Sequence, residues 1–389
     1  MTAPVTGAEV IEQVPIMKPT LGAAEERAAG EAIASGWVAQ GPRVAAFEEA
    51  LAERLGAHDG VVVSSCTAAL HLALVVLDLG PSDEVIVPSL SFIATANAAR
   101  YVGATPVFAD VDATTQNLTP ETIAAAVTPD TRAVIVVHQT GVPADMDAIH
   151  AYCDPRGIAV VEDAACAIGS TYKGRPIGGH SGLVAFSFHP RKVLTTGEGG
   201  AVLTSDPEWA ARLRRLREHG MSMSAAMRHS STNVVVESYL ETGFNYRMTD
   251  IQAAVGMVQL GRLDEIVARR RALAERYQQL LAGVPGLRTI SDPDYGTGNY
   301  QSFWIVLPDD EPFERDEVMR RMLAHGISTR RGIMAAHLEP AYADGPHIDL
   351  PVTDHLTTRS MILPLFHSMT PEQQDRVVAS LTTVLGLGA

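Results

Sequence analysis

The sequence predicts an α/β protein in two parts: a large domain built on a mostly parallel sheet, then a smaller α/β C-terminal domain. Two observations predict it. From about residue 58 to 205, short β-branched runs alternate with alanine-rich helical stretches, the pattern of strands joined by crossover helices. The chain also has 389 residues, more than one hydrophobic core organises comfortably. A boundary near residue 260 gives a large domain of residues 1–260, N-terminal segment included, and a small domain of residues 261–389.

The elements follow in order. Val61–Ser65 reads as a strand, with a helix over Thr67–Leu79 after it. Glu84–Val87, Thr105–Asp110, Ala133–His138, Ile158–Glu162, Val184–Phe188 and Ala201–Thr204 also read as strands. Ala94–Val102 and Pro120–Val127 are helical between them. Asp206–Arg217 is an arginine-rich amphipathic helix, and Gly220–Asn233 is irregular and rich in Ser and Met. From about Thr249 to Leu281 apolar residues recur at helical spacing, as at Ile251, Ala254, Val255 and Val258. Gly283–Gly286 breaks that run. Gln301–Leu307 and Ile327–Arg330 then read as strands, Arg315–His325 and Pro371–Leu385 as helices.

Composition narrows the function. The net charge of −15 argues against nucleic acid or an anionic membrane held by a general basic field. No run approaches the roughly 18 apolar residues that suggest a membrane span. Met1–Pro15 lacks the pattern of a signal peptide. Cys66, Cys153 and Cys166 are too few and scattered for a disulfide framework or a zinc site, so no metal is expected and a reducing cytoplasm fits. Of the 30 basic residues only Lys18, Lys173 and Lys192 are lysines, which leaves three side-chain candidates for a nucleophilic amine.

Three segments carry chemistry. In the first, a strand runs through Ser65-Cys66-Thr67 into a helix. The free amides of a helix N-terminus make an anion site, and the Thr67 hydroxyl adds a donor. Taken alone, Thr67 could equally be a helix cap. In the second, the apolar strand from Ile158 ends in Glu162-Asp163, carboxylates that need partners when buried. Asp163 could cap a helix or meet a cationic ring nitrogen. In the third, Lys192 follows the strand ending at Phe188, in a turn closed by Gly197, Gly199 and Gly200. Desolvation there is expected to lower its pKa and favour the free amine that Schiff-base formation requires. Lys173, in Tyr172-Lys-Gly-Arg-Pro176, reads as an exposed hairpin turn. A phosphate cradle, an acid for a ring nitrogen and an imine-forming lysine are the minimum set for pyridoxal phosphate.

The order and spacing of further segments make the sequence recognisable. They are Ser35-Gly-Trp-Val-Ala-Gln-Gly-Pro42, Ser65-Cys-Thr-Ala-Ala-Leu-His-Leu-Ala-Leu74 and Pro88-Ser-Leu-Ser-Phe-Ile-Ala-Thr-Ala-Asn97. Gly141-Val-Pro-Ala-Asp-Met-Asp147, the aspartate and lysine segments, and Gly243-Phe-Asn-Tyr-Arg-Met-Thr-Asp-Ile-Gln-Ala-Ala254 complete them. Over nearly its whole length the chain resembles the DegT/StrS family of sugar aminotransferases. The resemblance implies the aspartate-aminotransferase type of fold (fold type I) and pyridoxal 5'-phosphate as cofactor. It places Lys192 where the family forms the Schiff base and Asp163 where the pyridine nitrogen is held. Ser187 and Thr67 fall at phosphate-binding positions, and Phe92 where a ring stacks on the cofactor, unless it is a core phenylalanine. Asn245 matches a residue that reaches the phosphate of the neighbouring subunit, which implies a homodimer with shared sites; locally it could instead cap the helix near Thr249. Cys66 and Cys166 are departures at cofactor-binding positions, where the family often has Gly or Ala and Gln or His. The second weakens a hydrogen bond to the cofactor's phenolic oxygen. Trp37, Arg330, Arg331 and His337 are candidates to line the acceptor pocket.

The function expected is transfer of an amino group from glutamate or glutamine to a keto-sugar, nucleotide-linked by the resemblance. Its rivals are a cyclitol or aminobenzoate-type member of the family, a sugar dehydratase, in which histidine replaces the lysine, and a non-catalytic protein on the same fold.

Overall fold

The computed structural model describes residues 12–223, 236–345 and 348–387. Its centre is a seven-stranded sheet of β1 (Asp59–Val63), β2 (Glu84–Pro88), β3 (Thr105–Ala109), β4 (Thr131–Val137), β5 (Ala159–Asp163), β6 (Leu183–Ser187) and β7 (Gly200–Thr204). Each overlaps a strand read from the sequence. The spatial order is β1-β7-β6-β5-β4-β2-β3. β3, β2, β4, β5 and β6 run parallel, and β7 is antiparallel to both β6 and β1. These strands are near-continuous apolar runs because helices cover both faces. Val62 enters the core on one face with Phe47, Leu51 and Phe186. Val61 and Val63 enter the core on the other with Leu70, Leu72 and Leu74.

Two helices that sequence periodicity did not mark, Ala23–Ala34 and Pro42–Leu55, pack against the helix Asp250–Gly261. A Cβ at Gly256 would stand 2.5 Å from the Phe47 ring, so glycine permits that approach. The helical run expected from Thr249 to Leu281 is two helices, Asp250–Gly261 and Leu263–Leu281. The backbone leaves the helical region at Arg262, at φ −104° and ψ 2°. The first helix serves the N-terminal pair, while the second turns Leu273, Ala274 and Tyr277 into the core beside the C-terminal sheet.

That second sheet is antiparallel: β8 (Arg288–Thr289), β9 (Phe303–Val306), β10 (Arg330–Arg331) and β11 (Ser360–Leu363), in the order β8-β9-β11-β10. The strand expected over Ile327–Arg330 is divided. Arg330–Arg331 pairs with β11, and Ile327 forms a lone parallel bridge with Val14. The N-terminal segment therefore reaches the C-terminal sheet. Ser328 N–H donates to the Val14 carbonyl at 3.0 Å, and Leu365 N–H to that of Ile16 at 3.1 Å. The two parts also meet where the Val352 and Thr353 amides donate to Asp110 at 3.0 and 2.8 Å. Of the irregular stretch Gly220–Asn233, residues 224–233 lie outside the described residues. No helix among the described residues is long and apolar enough to cross a membrane.

Candidate active site

The C-terminal ends of β1, β5 and β6 and the turns after them bring the chemistry together, as expected where ligands gather at a doubly wound sheet. Ser65, not Thr67, caps the helix Cys66–Val76: its hydroxyl accepts from the Ala68 amide at 3.1 Å. The Thr67 hydroxyl and the Cys66 and Thr67 amides keep no partner among the described residues. Beneath this turn lies Gly200, where a Cβ would fall 2.5 Å from the Ser65 carbonyl carbon. Gly200 is the register partner of both Val63 and Ser187. The absent side chain thus lets Ser187, whose Oγ accepts from the His189 amide at 3.4 Å, and the Ser65–Thr67 turn share one corner, an anion cradle of the free Cys66 and Thr67 amides and the hydroxyls of Thr67 and Ser187.

β5 ends in Asp163, and turns rather than a helix follow, so Asp163 caps nothing. It is 5% exposed. One carboxylate oxygen accepts from Thr95 Oγ1 at 2.8 Å and the other from the Ala165 amide at 3.1 Å. Burial pushes its pKa above the usual carboxylate value, and Thr95, Ala165 and the Lys192 charge offset only part of that. Its neighbour Glu162 is fully buried on the opposite side of the strand. The Ala144 amide donates to His138 Nδ1 at 3.0 Å, which leaves the ring proton on Nε2 to meet Glu162 at 2.8 Å. Burial acts to raise Glu162, but His138, together with Ser181 and His180, holds the carboxylate below its ordinary value.

Lys192 sits in a braced turn after β6. Its amide donates to the His189 carbonyl at 2.8 Å. Phe188 is tied to Gly199 at 2.9 Å and to Thr196 at 3.0 Å. Gly197 takes φ +85° to close the loop. Lys192 Nζ lies 3.1 Å from Cys166 Sγ, within the influence of Cys66 and Asp163. The expected lowering of its pKa is corrected here. Burial does pull it down, but Cys166, Cys66 and Asp163 together hold it above the ordinary lysine value. The other two lysines are elsewhere. Lys173 occupies a hairpin at φ +48° with Nζ 2.6 Å from Asp147, and Lys18 lies over the Phe366 ring.

A family model, the DegT/DnrJ/EryC1/StrS aminotransferase family, matches residues 19–382. The chain belongs to this family. The aminotransferase TlmJ from Streptoalloteichus hindustanus is 38% identical, with 96% of this chain and 99% of that one covered at a TM-score of 0.89. DesV of S. venezuelae is 36% identical over the same shares, at 0.87. Spr1654 from Streptococcus pneumoniae, described as a sugar aminotransferase and solved in its PLP form, is 27% identical, again over 96% and 99%, at 0.89. The chain therefore has the fold of this aminotransferase family, with its large mostly parallel sheet.

The remaining candidates of this family member divide. Phe92 is 63% exposed at the start of the helix that carries Thr95, so it is no core residue. Asn245 is exposed and its backbone bridges Glu218. Thr249 itself caps the helix Asp250–Gly261 through a reciprocal pair with Gln252, so Asn245 does not cap it. Trp37 is 39% exposed, in the loop before Pro42–Leu55. His337 is held by Ser89 Oγ at 2.6 Å and faces Asp354 at 3.3 Å. Arg330 and Arg331 are exposed on the small sheet's edge, lining a groove of about 740 Å³ with Pro15, Ile16 and Met319; none of the residues around Lys192 lines it. Sequence reasoning missed Thr95 and His138. A polar residue on the apolar side of Ile93–Tyr101 was a signal for Thr95, but the His138–Glu162 pairing depends on strand register.

Proposed function

We propose that this pyridoxal-phosphate-dependent aminotransferase moves an amino group from glutamate or glutamine to a nucleotide-linked keto-sugar. One observation carries the reading: a buried Asp163 with a raised pKa, the Lys192 amine and the free N-terminus of the helix Cys66–Val76 lie within electrostatic reach of one another. The residues fit the group. Asp163 lacks a full cationic partner, which a protonated ring nitrogen supplies. The Cys66 and Thr67 amides, with the Thr67 and Ser187 hydroxyls, hold the phosphate. Phe92 offers an exposed ring to one face, and Cys166 lies beside Lys192 at the other edge. Bound pyridoxal phosphate supplies the electron sink for the pair left when a proton leaves the substrate carbon. Asp163 keeps the ring nitrogen protonated. Lys192 would hold the cofactor through its amine and, when that amine is free, would carry the proton as general base.

Trp37, His337, Arg330 and Arg331 are proposed to meet the acceptor. We also propose a division near residue 260, between residues 1–260 and 261–389, a homodimer in which Asn245 reaches the partner's phosphate, and a cytoplasmic setting that keeps Cys66, Cys153 and Cys166 reduced. The test is spectroscopic and chemical. The purified protein should absorb near the visible edge, and borohydride should fix the cofactor to Lys192. An adduct on Lys18 or Lys173 would overturn the assignment. Nucleotide keto-sugars and inososes, offered with glutamate and with glutamine, should give an aminated nucleotide sugar by mass; an aminated inosose alone would move the protein to the cyclitol class. Shared sites predict that Lys192→Ala and an inactive Asn245 variant regain activity when their subunits exchange. Verified exchange without recovery would exclude them.

A further inference from the structure

The proposed reaction leaves a thiol idle beside its own lysine. Cys166 Sγ is in hydrogen-bond contact with Lys192 Nζ at 3.1 Å, and both residues are only partly buried. The other two thiols differ. Cys66 shares the cleft, but burial and then Asp163 push its thiol well up, which disfavours the reactive thiolate. Cys153 is fully buried at the end of the helix Met146–Cys153, pushed up to about 11 by burial. Cys166 alone has an amine placed against its sulfur among the hydrogen bonds of the described residues. That amine stands where a nucleophile would attack an oxidised sulfur.

We propose that Cys166 and Lys192 form a reversible oxidative cross-link, in which a hydroperoxide turns their contact into a sulfur–nitrogen bond and withdraws the amine from the cofactor. The inference rests on the reading of Lys192 as the cofactor lysine. In the first step the Cys166 sulfur attacks the terminal peroxide oxygen. The O–O bond breaks, sulfur is oxidised by two electrons to the sulfenic acid, and the peroxide is reduced to water or an alcohol that takes the thiol proton. In the second step the Lys192 nitrogen, having lost its extra proton to solvent, attacks that sulfur. The S–O bond breaks and hydroxide leaves as water with the remaining proton, with no change in electron count. A small thiol reverses it: its sulfur displaces the lysine nitrogen to give a mixed disulfide, and a second thiol releases Cys166. The link needs a free amine, so it forms only while Lys192 is not bonded to the cofactor. The enzyme is then sensitive in the state that has accepted the amino group and protected in the state that awaits it.

The experiment uses protein loaded with either pyridoxal phosphate or pyridoxamine phosphate. Each is exposed to hydrogen peroxide, alkylated, digested and mapped by mass. Expected is a peptide pair joined through Cys166 and Lys192 with the loss of two hydrogen atoms, several-fold more abundant in the pyridoxamine phosphate sample and removed by a small thiol. Cys66→Ser should keep the joined pair and Cys166→Ser should lose it. Oxidation of Cys166 to sulfinic or sulfonic acid in both samples, with the Lys192 peptide always free, would overturn the cross-link. Equal joining in both samples would instead overturn the assignment of Lys192 to the cofactor, since the aldehyde would then give no protection.

Discussion

Glu162 and Asp163 are adjacent carboxylates at the end of one strand, equally hidden from water and opposite in behaviour. Glu162 faces the side where His138 supplies a donor across the neighbouring strand, and its pKa is lowered. Asp163 faces the cleft, where a hydroxyl and an amide are its hydrogen-bond donors, and its pKa is raised. The first has a histidine donor built into the fold at one oxygen, while its Oε1 has no hydrogen-bond partner among the described residues. The second has a neutral donor at each oxygen and no cationic one, so that something brought from outside can supply it. A buried acid whose pKa is raised, beside an amine, is a better marker of a site than burial or acidity alone.

Exchanging the two roles should have opposite results. Asp163→Asn should leave melting close to wild type and cut kcat by about a thousandfold, ~4 kcal/mol of barrier, because an amide cannot keep a ring nitrogen protonated. Near-normal turnover would show that another group does the work. Glu162→Gln should do the reverse. Breaking a buried pair on one side costs about 3 kcal/mol, read as an earlier urea transition, while kcat per folded molecule stays within a few-fold. A large kcat loss at unchanged stability would end the distinction.

The pH dependence of stability sharpens it. A carboxylate lowered in the fold, as Glu162 is, contributes stability above its unfolded pKa that is lost as pH falls through its folded pKa. Asp163 is raised, so the folded state takes up its proton first and stability is gained as pH falls towards about 4. Melting of the cofactor-free protein should lose the second trend in Asp163→Asn and the first in Glu162→Gln. Loading the cofactor should abolish the Asp163 trend, since a cationic ring nitrogen favours the carboxylate; an unchanged profile would argue against that contact. The smallest effect is expected from Thr95→Val. Removing one hydroxyl from Asp163 should cost about 1 kcal/mol, a several-fold fall in kcat with the spectrum intact.

How much of this was legible follows from where each signal lies. The seven strands were readable because each is a short β-branched run between helical stretches. Ala23–Ala34 was not, since Ala32 is its one buried apolar residue and leaves almost no stripe to see. Ser360–Leu363 follows the helix Pro351–Arg359 directly, and nothing in a serine and three apolar residues separates a strand from a helix tail. Asp163 and Lys192 stand next to apolar runs and announce themselves. Thr95 and His138 matter through partners 68 and 24 residues away, a relation that only the register of the sheet creates. The Lys192 pKa failed for the same reason: burial could be inferred locally, but the neighbours that reverse its effect come from two other segments, Cys66 from one and Asp163 and Cys166 from the other.

The bridge between Val14 and Ile327 has a topological consequence. The C-terminal sheet is joined to the rest of the chain through the long helix Leu263–Leu281 and again through the N-terminal segment clipped to its edge. Any displacement of this sheet must carry residues 12–16 with it and must also break the bonds from the Val352 and Thr353 amides to Asp110. A fragment starting at residue 262 would begin life without one strap, its Ile327 edge open to pairing with another chain.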